Sequence, residues 1–255
     1  MRRALAPLAL AIVVMSGLPG VGASAGTREA SAEITVLAAS SLTEAFTRIA
    51  KRFERRHPDV KVRLSFNASS ALVTQVELGA PADVIATADE SSARRLVDRG
   101  EVADDSIVVF ARNRLAIAVA PGNPKGITAL SDTLGRDLTL VLCAPEAPCG
   151  KLARRAYKRA DLSLPEVPVA ANVKDAVAKV ALGEADAAVV YVTDVRAARH
   201  DVDGVRIPRE HNVIATYPIA HLEDSEDAAA ARRFVEFGQS NGAQRILRRF
   251  GFLAP

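Results

Sequence analysis

Two apolar runs near the N-terminus each end close to a pair of serines and continue into a helical pattern. The first run covers residues 34–39 and leads to the serine pair at 40–41; the second covers 60–66 and leads to the pair at 69–70. Strands and helices that alternate at this spacing form parallel βαβ units, whose ligands collect beyond the carboxyl ends of the strands. The sequence therefore predicts an α/β fold with serines at a ligand-binding edge.

The helix that follows the first run has a clear start. Its apolar positions recur at three- and four-residue intervals at Leu42, Ala45, Phe46, Ile49 and Phe53. Ser41 is the expected N-cap, and Glu44, three residues later, completes a capping box. The remaining amides of the first turn carry the positive end of the helix dipole, so the turn is either an ordinary cap or an anion site.

The rest of the chain predicts a second α/β series, joined to the first by two extended crossings. The apolar run 107–120 is long for one strand and has a polar break at 112–114, so it can cross from the first series to the second. The run 212–222 can make the return crossing. We therefore predict two lobes, each with a mixed, mostly parallel sheet flanked by helices, and a cleft between them. The predicted boundaries are 33–111 for the first part of lobe 1, 112–215 for lobe 2 and 216–255 for the remainder of lobe 1.

Residues 1–25 have the pattern of a secretory signal peptide. A positive start at 1–3 precedes an apolar stretch at 5–14, and residues 21–25 end in an Ala-x-Ala cleavage pattern. The apolar stretch is too short and too interrupted by proline and glycine for a membrane span. We expect 26–32 to be a flexible leader and the mature chain to be a soluble protein of the periplasm or cell envelope.

The charge composition argues against one class of function. The 33 basic residues against 30 acidic ones give a net charge of +3, and no basic stretch is interleaved with aromatic residues, so nucleic-acid binding is not expected.

In an exported protein the two cysteines, Cys143 and Cys149, are expected to form a disulfide that makes a short loop rigid. Two separate buried thiols are the alternative; a zinc site is disfavoured because no histidine lies nearby in sequence.

Six segments of the mature chain, in a fixed order and spacing, carry a family pattern. They are Ile34-Thr35-Val36-Leu37-Ala38-Ala39-Ser40-Ser41-Leu42-Thr43, Ser65-Phe66-Asn67-Ala68-Ser69-Ser70, Gly79-Ala80-Pro81-Ala82-Asp83, Pro145-Glu146-Ala147-Pro148-Cys149-Gly150, Val190-Tyr191-Val192-Thr193-Asp194 and Arg249-Phe250-Gly251-Phe252. Together they resemble the periplasmic molybdate-binding proteins of ABC transporters. The resemblance implies a type II periplasmic-binding-protein fold and a binding function without catalysis or a cofactor.

The resemblance also implies an oxyanion site. It consists of Ser41 and Ser69 from the first lobe and Cys149, Val173 and Tyr191 from the second, with Ser40 and Ser70 as additional candidates. The serines would offer hydroxyl and amide donors, Cys149 and Val173 backbone amides, and Tyr191 its phenol. Relatives are often richer in serine near Ser69, which leaves open whether Ser69 or Ser70 makes the contact. Without the resemblance, Val173 and Tyr191 would be interpreted as packing residues.

The implied ligand is molybdate, and tungstate is expected to bind as well because it is so similar in size. Molybdenum would be held only as its oxyanion, and the expected partners are an ABC permease and its cytoplasmic ATPase, with the receptor itself a monomer. A site made of neutral donors favours an anion that arrives fully deprotonated, which disfavours hydrogen phosphate. Sulfate satisfies the same condition, so a sulfate receptor remains an alternative.

A serine hydrolase is the alternative from a different class, because exported α/β enzymes often place a serine at a strand-to-helix turn. Neither Ser41 nor Ser69 lies in a Gly-x-Ser-x-Gly elbow, and no histidine follows an aspartate where a general base would be expected. The sequence therefore favours a binding protein over an enzyme.

Overall fold

The fold begins with three neighbouring parallel strands. The computed structural model describes residues 32–255. Its first elements are β1 (Ala32–Ala39), α1 (Thr43–Glu54), β2 (Val60–Asn67), α2 (Ser69–Glu77), β3 (Val84–Ala86) and α3 (Glu90–Asp98). The alternation predicted from the apolar runs is confirmed, and both serine pairs lie at the carboxyl ends of neighbouring strands.

One long strand, β4 (Val108–Val119), passes from one half of the molecule to the other. Its first part, up to Arg114, pairs antiparallel with β9 (Ile214–His221), and its second part, from Leu115, pairs antiparallel with β7 (Ala187–Tyr191). β9 in turn pairs with β3. The predicted crossing strand is therefore confirmed, and it changes partners between two consecutive residues.

The second series is built around β5 (Leu140–Cys143), which pairs in parallel with β7 and with the short β6. The remaining elements are α4 (Pro148–Arg159), β6 (Val169–Ala170), α5 (Val173–Ala181), α6 (Val192–Ala197), β8 (Asp203–Arg206), α7 (Ala228–Gln239) and α8 (Asn241–Phe250). The strand path reads β2-β1-β3-β9-β4-β7-β5-β6, and β8 pairs with β4. The sequence patterns did not predict α6 or β8.

Aromatic side chains lock α1 into the first half of the molecule. Phe46 and Phe53, both on the predicted apolar face of α1, are fully buried. The ring centroid of Phe46 lies 5.5 Å from that of Phe110 on β4, and the Phe53 ring packs edge-on against Phe234 of α7 at 5.2 Å. Such pairs contribute about 0.5–1.5 kcal/mol each beyond the area they bury. They fix the turn that leads from β1 into α1.

Two sequence predictions concern the N-terminus. The signal peptide at 1–25 and most of the leader lie outside the described residues, while Ala32, assigned to the leader, is instead the first residue of β1 and pairs with Val60. None of the helices between residues 32 and 255 has the length and apolar character needed to cross a bilayer.

Candidate oxyanion site

A small cavity lies where helical segments from both halves of the molecule begin. All five predicted site residues line it: Ser41, Ser69, Cys149, Val173 and Tyr191. The lining, drawn from residues 32–255, contains no lysine, arginine or carboxylate side chain, so the positive potential comes from helix N-termini. The cavity volume is about 10 Å³, which is room for about one water molecule. The site is thus narrow.

Ser41 is held differently from the sequence prediction. Residues 40–42 form a 3-10 turn, and α1 begins only at Thr43, whose hydroxyl donates to the Ser40 carbonyl. The capping box is therefore wrong: the Ser41 hydroxyl lies 2.8 Å from the Tyr217 hydroxyl and caps no amide, and Glu44 forms an ion pair with another helix. The extra turn shifts the helix start by one residue, from Leu42 to Thr43, and frees Ser41 to face the cavity.

Ser69 is the first residue of α2 and is buried. Its Oγ accepts a hydrogen bond of 2.9 Å from the backbone amide of Ala88, which follows β3. Ser70 is also buried, but it is not among the residues that line the cavity, whereas Ser40 is. Of the two candidates in this turn, Ser69 is the one that reaches the cavity.

The predicted disulfide between Cys143 and Cys149 is confirmed, with the two Cα atoms 5.7 Å apart. It joins the end of β5 to the second residue of α4 and encloses the loop between them. A Cβ on the next residue, Gly150, would lie 2.0 Å from the Ala144 carbonyl oxygen, so only glycine allows the loop to pack against the helix start. Disulfide and glycine together position the Cys149 amide at the cavity wall.

Val173 supplies the matching helix start in α5. The side chain of Asn172 caps this helix by accepting from the amides of Lys174 and Asp175, at 2.9 and 3.2 Å. The first amides of a helix have no intrahelical acceptor, and the cap uses those of the second and third residues. The Val173 amide is therefore the one that the cap does not occupy.

Tyr191 ends β7 and is 1% exposed. The residue lines the cavity, and its buried hydroxyl has no hydrogen-bond partner among residues 32–255. Burial raises the pKa of this phenol well above its ordinary value, so it remains a donor at neutral pH. Buried hydroxyls are nearly always satisfied. A buried donor left free at a cavity wall is what an anion site provides before its ligand arrives.

Tyr217 on β9 contacts the candidate site residue Ser41, and the sequence patterns missed it. It is fully buried, and its hydroxyl forms a hydrogen bond with the Ser41 hydroxyl. The Tyr217 hydroxyl oxygen also lies 3.4 Å from the Asn113 amide nitrogen. Its ring packs edge-on against Tyr191, with centroids 6.1 Å apart. Tyr217 is 176 positions from Ser41 in sequence, and no motif surrounds it. Nothing short of the tertiary fold could have revealed the contact.

Two ion pairs bridge the halves of the molecule beside the cavity. Lys174 of α5 contacts Glu44 of α1 at 2.8 Å, and Lys151 of α4 contacts Asp89, the N-cap of α3, at 3.1 Å. Each pair joins an element of the first series to one of the second, so together they hold the two halves against each other.

Asp194 lies just behind the Tyr191 backbone and is 1% exposed. It accepts a hydrogen bond from the Tyr191 amide at 3.1 Å, and its other oxygen is 3.7 Å from Lys174. Burial raises the pKa of this carboxyl to about 6, against the lowering effect of Lys174. Asp194 thus orients the strand end that carries the free phenol.

The chain matches known proteins over almost its whole length. A model of the family described as bacterial extracellular solute-binding protein matches residues 34–253. The molybdate-binding protein ModA of Mycobacterium tuberculosis (strain ATCC 25618 / H37Rv) is 36% identical over 249 residues, which cover 95% of each chain. The chain belongs to the bacterial extracellular solute-binding protein family. The resemblance to molybdate-binding proteins indicated by the sequence motifs is confirmed.

Solved structures show that the solute-binding protein fold is shared. The periplasmic molybdate-binding protein of Azotobacter vinelandii aligns with a TM-score of 0.77 at 19% identity, covering 87% of this chain and 99% of that one. The sulfate-binding protein SubI from Mycobacterium tuberculosis H37Rv aligns at 0.78 with 21% identity, covering 88% and 87%. The predicted two-lobe periplasmic-binding-protein fold is confirmed. Since the family binds solutes, this protein is not an enzyme, and the serine hydrolase alternative is withdrawn.

Proposed function

We propose that this solute-binding protein captures molybdate in the cavity described above. The observation that carries the proposal is an uncharged cavity at several helix N-termini, with the free hydroxyl of buried Tyr191 in its wall. The same chain is 36% identical to a molybdate-binding protein of Mycobacterium tuberculosis. In this proposal the ligand contacts are the hydroxyls of Ser41, Ser69 and Tyr191 and the backbone amides of Cys149 and Val173. Ser40 is an additional contact.

The energetics are adequate without a positively charged side chain. A hydrogen bond to a charged acceptor is worth roughly 1.5–3 kcal/mol net, because the anion's strong hydration must be replaced. Several such bonds exceed the costs of association and lobe closure by enough for micromolar affinity or better. Because the cavity has room for about one water molecule, entry of a tetrahedral anion requires the lobes to part first.

Neutral donors also select by protonation. A fully deprotonated dianion accepts at every oxygen, whereas hydrogen phosphate carries a proton at neutral pH that needs an acceptor in the wall. Tungstate matches molybdate in charge and nearly in size, so we expect it to bind with similar affinity. The second candidate is sulfate, which shares the deprotonated state and is favoured by the structural likeness to the sulfate-binding protein SubI.

The proposal extends to cellular context. Residues 1–25 are removed on export, and the mature receptor, a monomer, delivers its anion to an ABC permease driven by a cytoplasmic ATPase. The lobes divide near residues 112 and 215, close to the point where β4 changes partners. N-terminal sequencing of the exported protein tests the cleavage site: a mature protein that begins well before residue 26 would contradict it.

Calorimetric titration of the mature protein with molybdate, tungstate, sulfate and hydrogen phosphate tests the ligand. We expect molybdate and tungstate to bind with similar dissociation constants, sulfate at least tenfold more weakly, and hydrogen phosphate most weakly of the four. Tighter binding of sulfate than of molybdate would transfer the assignment to the second candidate, and the absence of heat with every oxyanion would end the proposal.

A further inference from the structure

The side chain of Asn113 is oriented by its own neighbours. It lies on β4, is fully buried, and its Oδ1 accepts from the Arg114 backbone amide at 2.9 Å. Its Nδ2 donates to the Thr193 hydroxyl at 2.8 Å and lies 3.4 Å from the Tyr217 hydroxyl oxygen. Because the amide oxygen is already used and the amide nitrogen can only donate, Tyr217 faces a donor on this side.

A phenol that accepts a hydrogen bond on one side still has its own proton to donate on another. The Ser41 Oγ lies 2.8 Å from the Tyr217 hydroxyl oxygen, within hydrogen-bond distance. Burial raises the pKa of Tyr217 far above its ordinary value, so this proton stays in place at neutral pH. When Tyr217 is the donor to Ser41, the hydrogen bonds run from Asn113 to Tyr217 and from Tyr217 to Ser41. The Ser41 proton is then left for the cavity that Ser41 lines.

We propose that Tyr217, oriented by Asn113, is a positioning residue that fixes the Ser41 hydroxyl as a hydrogen-bond donor toward the ligand and thereby excludes protonated oxyanions. The inference rests on the proposed oxyanion function and adds the residue that sets its selectivity. Tyr217 acts through Ser41; it is not itself among the residues that line the cavity.

The other serine shows the same arrangement by different means. The Ala88 backbone amide donates to Ser69 Oγ at 2.9 Å, so this hydroxyl too has its proton left for the cavity. At Ser69 the outer donor is main chain and cannot be removed by substitution. At Ser41 it is a side chain, which makes the Ser41 half of the arrangement testable.

The test is a double-mutant cycle with Tyr217→Phe, Ser41→Ala and the combined variant, titrated with molybdate and with hydrogen phosphate. We expect Tyr217→Phe to weaken molybdate binding about fivefold to tenfold, as for loss of one neutral hydrogen bond. It should also lower the ratio of molybdate to hydrogen phosphate affinity, because Ser41 is then free to accept. In the Ser41→Ala background the same change should have less than a twofold effect.

Tyr157→Phe is the matched control. Tyr157 is equally buried, its hydroxyl bonds Thr133 at 2.6 Å, and it does not line the cavity. Deleting the same atom there should leave both affinities unchanged, while thermal melts verify that all variants fold.

The outcomes separate the inference from the function on which it rests. Wild-type protein that binds no oxyanion would overturn both. Wild-type protein that binds molybdate or sulfate, with Tyr217→Phe equally harmful in the presence and absence of Ser41, would overturn the inference alone. An unchanged selectivity ratio in Tyr217→Phe would do the same.

Discussion

At the scale of single residues, Tyr191 carries a cost in the empty protein that a ligand can remove. A buried hydroxyl without a partner costs about 1–3 kcal/mol. The sequence motif placed Tyr191 in the site, yet only the fold shows that its hydroxyl is left free. A residue of this kind lowers the stability of the empty protein and raises its affinity for a ligand.

Tyr191→Phe should therefore change stability and binding in opposite directions. We expect the free energy of unfolding of the empty protein to stay level or rise by about 1 kcal/mol, since the unsatisfied group is gone. Molybdate affinity should fall about 10- to 100-fold, because a hydrogen bond to a charged acceptor is lost. Denaturant unfolding and calorimetry measure the two effects. A large loss of stability with unchanged affinity would show that the phenol is only a packing group.

Asp194 makes stability depend on pH. Its pKa is raised from 3.8 to about 6, so the folded state binds a proton more tightly than the unfolded state. The stabilisation from this carboxyl is fully present below pH 4, is lost as the pH rises from about 4 to about 6, and stays lost above that.

Asp194→Asn should remove this dependence. The unfolding free energy of the variant minus that of the wild-type protein should increase between pH 4 and pH 6 and then level off. Urea unfolding at half-unit pH steps measures the difference, in which the titration of other carboxyls cancels. A difference that is flat or falls with pH in this window would contradict the raised pKa.

At the scale of elements, the sequence predicted the strands and helices that carry the chemistry. Alternating apolar runs with clear breaks specified β1, β2 and the helices after them, since burial of one face imposes that spacing. Elements with a weak sequence pattern were not predicted. Strand β8 is short and mostly exposed, and the 3-10 turn at 40–42 uses the same residues as a capping box would. The contacts of Tyr217 and Asn113 were not predicted because their partners are distant in sequence.

The disulfide ties the start of α4 to the end of β5. Closing so short a loop should contribute about 2 kcal/mol to stability by the chain-entropy estimate. A Cys143→Ser, Cys149→Ser double variant should lose about that much unfolding free energy, and its molybdate affinity should drop severalfold because the Cys149 amide is held less firmly. Unfolding and titration, with reduced wild-type protein as the parallel sample, measure both. Two freely alkylatable thiols in the untreated wild-type protein would contradict the prediction.

At the scale of the whole molecule, ion pairs across the cleft contribute to closure. Lys174 with Glu44 and Lys151 with Asp89 join the two series of elements. Partly exposed pairs of this kind are worth at most about 1 kcal/mol each. Their effect should therefore appear in the balance of open and closed forms rather than in global stability.

A Lys151→Met, Lys174→Met double variant should bind molybdate about 3- to 30-fold more weakly, and its affinity should depend less on salt. Lys179→Met is the control, because Lys179 pairs with Glu184 at 3.2 Å within one series. Titration at two salt concentrations, together with small-angle scattering of the empty protein, measures affinity and closure. Equal weakening in the control would show that lost charge alone, and not the bridge, is responsible.

The uncharged cavity has a consequence for the transport partner. Because no lysine, arginine or carboxylate among the described residues lines it, a captured dianion is not neutralised by a neighbouring side chain. Capture of a dianion makes the loaded receptor two charges more negative than the empty one, although its outer side chains are the same. A permease would then meet two receptors that differ in electrostatic potential as well as in shape, and it could tell a full carrier from an empty one by either property.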